Sequence, residues 1–339
     1  MQENAEDEEL GGTNPVPKNK GKVSFVTGAS GRLGKELIKV LIKRGDTVRA
    51  LVNRKDSIIH LPSGTIPFVG DINDSAILND ACKGVDNVFH LAAIVSEYKV
   101  NPMNLMRINV DGTRNVLEAC EDNAVSHFIF PSSVDVYGYR RNEILNEDSS
   151  LDPQDKYGVS KMLAEQIIQR YKSTVPSTIF RIAVMYGPGF EEQFFKFFDM
   201  VRLGKARIIG DGTNTLNLVH VYDVMQAFIL ASTSKKSIGN VYNLTDGEFH
   251  TQRILFNLAA DMLKVPRVDS TINRFIAKVL LPYVKINPDE YRFLTSNRQI
   301  DISRIKAQLG YKPIVKLDSG AMEMFKTYEK KMKSAKHNI

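Results

Sequence analysis

The sequence predicts an α/β chain in which a doubly wound parallel sheet leads into a smaller C-terminal substrate-binding part. Three observations carry this expectation. From residue 21 onward, short apolar runs alternate with stretches of helical periodicity. A glycine-rich turn, Thr27-Gly28-Ala29-Ser30-Gly31-Arg32-Leu33-Gly34, separates the first apolar run from the first helical stretch. The chain has 339 residues, 43% hydrophobic and 25% charged, which is enough to bury a large core and ordinary for a globular protein.

Residues 1–20 hold Glu3, Glu6, Asp7, Glu8 and Glu9, then Gly11-Gly12 and two prolines, and read as a disordered acidic tail. Folding begins at about Gly21. Val23 to Val26 read as a buried strand, and Leu33, Leu37, Ile38, Leu41 and Ile42 as the apolar face of the first helix. Glycines between them let the backbone bend sharply, let a pyrophosphate approach the amides, and let the helix pack closely on the strand. Phosphates then sit on the helix N-terminus, where unpaired N–H groups favour anions. This is the pattern of a Rossmann-like dinucleotide site. Gly45 ends the helix and Thr47 to Val52 form a second strand. NAD binders place an acid at this strand's tip, whereas NADP binders replace it and add a basic residue. Here Val52 holds that place, followed by Asn53-Arg54-Lys55. Arg54 either pairs a 2′-phosphate, with Arg32 in support, or stands solvated on a loop. The choice between NADP and NAD leans to NADP.

Phe68 to Ile72 form a short third strand that includes Asp71. Asn87 to Ala93 form a fourth, ending in Leu91, Ala92 and Ala93, where small residues let the backbone approach a cofactor. His90 has no partner at ligand spacing, so no metal site is expected. A helix is expected from Met103 to Asp122, and a fifth strand, Phe128 to Phe130, runs into Pro131-Ser132-Ser133-Val134-Asp135-Val136-Tyr137-Gly138. Tyr157-Gly158-Val159-Ser160-Lys161 then opens a helix continuing through Leu163, Ala164, Ile167 and Ile168. Residues i and i+4 share one helix face, so Tyr157 and Lys161 stand side by side.

With a Gly-x-x-Gly-x-x-Gly turn, a strand-end serine and Tyr-x-x-x-Lys in this order, residues 21–313 resemble an extended short-chain dehydrogenase/reductase. That group contains nucleotide-sugar epimerases and dehydratases, hydroxysteroid and sterol dehydrogenases, and dihydroflavonol-type reductases. The stretches Arg181 to Gly189, Val219 to Asp223 and Asn240 to Leu244 agree with it. The resemblance implies that Ser133, Tyr157 and Lys161 are catalytic, Ser133 being preferred to Ser132 because it stands four residues before Tyr137. It implies cofactor contacts from Gly28, Ser30, Gly31, Arg32, Leu33, Gly34, Asn53, Arg54, Asp71, Ile72, Leu91, Ala92, Ala93 and Asn109, as well as from Tyr157 and Lys161. Asp71 would lie beside the adenine. Lys161 would hold ribose hydroxyls and favour the Tyr157 phenolate, and Ser133 would hydrogen-bond the substrate oxygen. The chemistry is hydride transfer at a secondary alcohol or ketone. Residues 21–184 form the dinucleotide-binding domain. Residues 185–330 mainly bind substrate, with 219–245 returning to the first domain, and 331–339 are a basic tail. Relatives pair the helices matching Asn109 to Glu121 and Tyr157 to Tyr171, so a homodimer is expected.

For substrate, two departures matter. Nucleotide-sugar members usually carry Asn where this chain has Val184, and commonly Arg near Leu216. Aliphatics there leave diphosphate and base oxygens without donors. An apolar substrate of hydroxysteroid, isoprenoid or dihydroflavonol character is therefore expected, although Arg292 or Arg298 offer other routes to a diphosphate. A nucleotide-sugar epimerase or dehydratase is the alternative. Dehydratases carry an Asp-Glu pair where this chain has Val134-Asp135, so one acid is missing. A non-catalytic NAD(P)-sensing protein is a second alternative, but such proteins typically lose the tyrosine and lysine. The stripe Phe190, Phe194, Phe195, Phe197 and Phe198 is either core or pocket. Phe275 to Val284 either pack inside or touch a membrane surface peripherally.

The net charge of +6 is scattered, with a cluster only at Lys330, Lys331, Lys333 and Lys336, and no basic stripe with interleaved aromatics points to nucleic acid. Cys82 and Cys120 lack ligand spacing and read as reduced thiols of a cytoplasmic protein. No apolar run approaches the ~18 residues of a membrane span.

Overall fold

A strand that is buried along almost its whole length belongs in the middle of a parallel sheet, and β1 (Val23–Thr27) sits there. The computed structural model describes residues 21–95, 100–283 and 286–337. The acidic segment 1–20 and Val284 lie outside the described residues. From β1 the chain passes through α1 (Arg32–Arg44) to β2 (Thr47–Val52). α1 stops at Gly45, whose φ of 97° is left-handed and releases the chain from the helix.

β3 (Thr65–Val69), α2 (Ser75–Cys82) and β4 (Asn87–His90) follow. β3 ends before Asp71 because the Asp71 carboxylate accepts the Asn73 amide at 2.9 Å and turns the chain. β4 ends before Leu91 because side chains, not strands, take the next amides: Thr27 Oγ1 accepts from Ala92 N at 3.1 Å, and Asn109 Oδ1 from Ile94 N at 2.8 Å. The helix expected over 103–122 is two helices, α3 (Pro102–Met106) and α4 (Gly112–Asp122), joined by a π turn over Arg107–Asp111. That wide turn aims Asn109 at the loop after β4.

β5 (His127–Ser133), β6 (Arg140–Leu145), α5 (Lys156–Arg170) and β7 (Ser177–Ile182) complete the first domain. Beyond them come β8 (Val184–Tyr186), α6 (Glu191–Arg202), β9 (Ile208–Ile209), β10 (Thr215–Leu216) and β11 (Leu218–His220). α7 (Val221–Thr233) and β12 (Val241–Leu244) return to the sheet. The C-terminal part adds β13 (His250–Thr251), α8 (Gln252–Leu263), β14 (Thr271–Ile272) and α9 (Arg274–Leu280). It closes with α10 (Pro288–Thr295), β15 (Asn297–Ile300), α11 (Ser303–Leu309) and α12 (Leu317–His337). α12 runs through Lys330, Lys331 and Lys333.

The sheet order is β12-β7-β5-β4-β1-β2-β3, parallel throughout. The chain moves outward from β1 to β3, then crosses back to β4. The crevice between the carboxyl ends of β1 and β4 is thus the topological switch point, where ligands of such sheets bind. One face is covered by α1 and α7 through Leu37, Leu41, Val224 and Phe228. The other is covered by α2, α4 and α5 through Leu78, Val116, Leu117 and Ile168. A third core, beneath α6, α8 and α12, holds Phe198, Phe256, Met324 and Leu216.

Candidate active site

At the switch point Gly28 has φ 64°, and a Cβ there would lie 2.7 Å from the Leu91 carbonyl and the Ala92 nitrogen. At Gly34 a Cβ would lie 2.4 Å from Gly28 O. These two glycines are required by the chain's own backbone, which crosses itself between β1 and β4. α1 starts from Gly31 with no side-chain cap and no acid in its first turn. By contrast α2, α5, α8 and α10 are capped by Asp74, Asp155, Thr251 and Asn287. The start of α1 therefore fits a phosphate group, with Ser30, Gly31, Arg32 and Leu33 around it. Arg32 lies over the Phe190 ring, 5.2 Å from its centroid.

At the tip of β2 Val52 is buried, while Asn53 and Arg54 are exposed. Arg54 Nε lies 3.4 Å from Asp56, an exposed and therefore weak pair. Asp71 is similarly exposed, 3.4 Å from Arg107, while Ile72 is buried against Gly112. His90 is no ligand but a strut. It bridges Thr27 Oγ1 at 2.8 Å and Thr113 Oγ1 at 3.0 Å, and burial, with Lys161 nearby, pushes its pKa down to about 3. Asn109, almost fully buried, uses its amide on Ile94 O and Ser160 Oγ, both at 2.9 Å. It ties the chain just after Leu91, Ala92 and Ala93 to α5.

The strand-end serines diverge. Ser132 Oγ donates to Glu165 at 2.5 Å on the buried side, whereas Ser133 stands near enough to the Tyr157 phenol to lower its pKa. Ser133 Oγ also accepts the Asp135 amide at 3.1 Å, capping the turn Val134–Tyr137. Lys161 is buried, donates to Pro131 O at 2.8 Å, and lies 5.9 Å from the Tyr157 ring centroid. Ser133, Tyr157 and Lys161 are thus brought together, as their spacing predicts.

Their electrostatics differ from the expectation. Burial, only partly opposed by Glu165, pushes Lys161 down to about 7. The Tyr157 phenol is held above its ordinary range by burial first, then by Asp135 and Asp155, with Ser133 acting against them. In this setting the Tyr157 phenol is protonated at neutral pH.

Tyr157 opens onto a cavity of about 1040 Å³. Its wall combines Val184, Phe194, Phe197, Met200, Leu255 and Phe256 with the α9 side chains Ala277 and Leu280. The phenylalanine stripe is therefore divided, Phe198 going to the core. Val184 faces the cavity as expected, but Leu216 is fully buried in the third core and is no part of the lining. Arg292 pairs with Asp289. Arg298 reaches the cavity and is paired there with Asp135 at 2.6 Å. Asp155 accepts the Gly158 amide at 2.7 Å and the Tyr139 hydroxyl. The exposed cations Lys196, Lys205 and Arg207 also border the cavity. Among the described residues no group of acids, histidines and cysteines is placed to hold a metal, and no helix is long and apolar enough to cross a membrane.

The sequence profile of the NAD dependent epimerase/dehydratase family matches residues 24–245. The chain is 31% identical to the N-acetyl-alpha-D-glucosaminyl-diphospho-ditrans,octacis-undecaprenol 4-epimerase of Escherichia coli O157:H7, over 76% of this chain and 75% of that one. It is 28% identical to 3beta-hydroxysteroid-dehydrogenase/decarboxylase isoform 2 of Arabidopsis thaliana, over 77% of this chain but only 51% of the longer relative. The fold is shared with UDP-glucuronic acid 4-epimerase from Bacillus cereus, solved in complex with NAD, at TM-score 0.74 and 24% identity, covering 91% and 98% of the two chains.

Proposed function

Because the chain belongs to the NAD-dependent epimerase/dehydratase family, within the extended short-chain dehydrogenases/reductases, we propose that it transfers hydride at a secondary alcohol or ketone of an apolar substrate. The observation that carries this reading is the cavity, apolar over most of its wall and opening from Tyr157. What the bound nicotinamide supplies is the hydride donor or acceptor and, when oxidised, a positive charge. Tyr157 gives the substrate oxygen its proton, or takes it in the reverse direction. Ser133 orients that oxygen, Lys161 stands ready for the ribose hydroxyls, and the start of α1 takes the pyrophosphate.

A second reading is 4-epimerisation of a diphosphate-linked sugar. The identity to the undecaprenol-linked epimerase favours it, since an apolar cavity bordered by Lys196, Lys205 and Arg207 also suits a lipid diphosphate. A turnover panel with NAD and NADP separates the two. Hydroxysteroid, isoprenoid and dihydroflavonol alcohols and ketones should change nicotinamide absorbance. Epimerised sugar products from UDP-sugars or polyprenyl-diphosphate sugars, with no response to the first set, would sink the first reading.

NADP preference rests on Val52 and Arg54. Fluorescence titration should show tighter binding of NADP than NAD, and Arg54→Ala should narrow the gap. Equal affinities would remove the argument. A homodimer through α4 and α5, peripheral lipid contact through the exposed Phe275, Ile276 and Val279, and a cytoplasmic location suited to the free thiols Cys82 and Cys120 belong to the same proposal. Light scattering, vesicle sedimentation and cell fractionation are their measurements.

A further inference from the structure

Arg298 stands where the two parts of the chain meet. It lies on β15, which pairs with β6 in parallel with a register shift between Asn297 and Gln299, so the strand is irregular at this residue. Its side chain is 5% exposed. Nη1 donates to Val134 O at 3.1 Å and to Gly138 O, and Nη2 to Asp135 Oδ1 at 2.6 Å. The guanidinium also lies 5.1 Å from the Tyr139 ring centroid. Three of its partners thus belong to one turn, the turn that Ser133 caps. The same turn packs on the start of α5, since a Cβ on Gly158 would lie 2.9 Å from Asp135 O. The spacing of Ser133 and Tyr157 is therefore set where Arg298 grips.

We propose that Arg298 is a positioning residue of the reaction, clamping the Ser133–Gly138 turn to the C-terminal part and cancelling the charge of Asp135 beside Tyr157. The inference rests on the reading that Tyr157 moves the proton. The charged and titratable groups around that phenol are Asp135 on the turn, Asp155 and its partner Tyr139, Lys161 on α5, and Arg298 and Arg292 from the C-terminal part. Asp135 and Arg298 form an ion pair that can be opened from either side. Without Arg298, an uncompensated carboxylate faces Tyr157 and the phenolate becomes harder to form. Without the Asp135 charge, an uncompensated guanidinium makes it easier.

The test is the pH profile of turnover, measured with the most active compound of the substrate panel, for Arg298→Met, Arg298→Lys and Asp135→Asn. Turnover in Arg298→Met should fall roughly tenfold or more, because a displaced turn misplaces the reacting groups. The limb of the profile that is lost in Tyr157→Phe should move to higher pH in Arg298→Met and to lower pH in Asp135→Asn. Arg298→Lys should restore most of the limb position. A merely structural role lowers the rate in all variants without opposite shifts, and that result would overturn the proposal, as would full activity in Arg298→Met. Should Arg298→Met not fold, Asp135→Asn still carries the test with its own sign. A limb that survives in Tyr157→Phe would remove the proton-transfer reading itself. A limb lost there but unmoved by both charge variants would remove only the role of Arg298.

Discussion

Tyr157→Phe is expected to lower turnover by roughly 10²–10⁴-fold, the usual contribution of a positioned acid or base, while leaving cofactor affinity nearly unchanged. The two effects separate because the phenol oxygen is the only atom removed. Asp155 still caps α5 through the Gly158 amide, and Lys161 still hangs from Pro131 O. The crevice built by Gly28, Gly34 and the loop after β4 does not involve the phenol. Lys161→Ala should instead weaken both turnover and cofactor binding. Cofactor fluorescence titration beside steady-state kinetics checks the pair. More than about a tenth of wild-type turnover in Tyr157→Phe would contradict proton transfer by this group.

The sheet and the neighbouring placement of Tyr157 and Lys161 were legible in the sequence because each rests on local pattern. The central strand holds Val23, Phe25 and Val26, a glycine turn announces the α1 start, and Tyr157 and Lys161 meet by helix geometry alone. What was not legible depends on distant contacts. Asp135 and Arg298 are 163 residues apart, and no local spacing announces their ion pair. The break between α3 and α4 follows from Asn109 being drawn to Ile94 and Ser160, which no periodicity records. Phe194 and Phe198 share one face of α6, yet Phe194 lines the cavity and Phe198, one turn further on, fills the core against Phe325 and Tyr328 of α12. Asp155 did carry a signal, an aspartate three residues before Gly158 at a helix start, but a cap and a wall of the site look alike in sequence. The Tyr157 electrostatics depend on burial and on Asp135 and Asp155, which raise the phenol's pKa, while burial lowers that of Lys161, and no local spacing announces either effect.

Arg181→Met should cost about 3–5 kcal/mol of folding stability, the range for breaking a buried ion pair from one side. Arg181 is directly opposite Ser132 in the β5–β7 register. Its Nη2 lies 2.7 Å from Glu165 Oε2, with both side chains only 6% exposed. Nη1 donates to the Tyr137 hydroxyl at 2.8 Å and to Glu147 O at 3.0 Å. Methionine fills much of the volume but leaves Glu165 with Ser132 as its remaining hydrogen-bond donor, so a carboxylate stays buried without its paired guanidinium. Against a typical total of about 5–15 kcal/mol, that loss is large enough to lower the urea midpoint severely. Arg181→Met with Glu165→Gln should recover part of it, because the orphaned charge is removed as well. Turnover per folded molecule, measured well below the midpoint, should stay within a few-fold of wild type, since neither residue reaches the cavity described around Tyr157. Unchanged urea stability together with lost turnover would show that this pair serves the chemistry and not the fold.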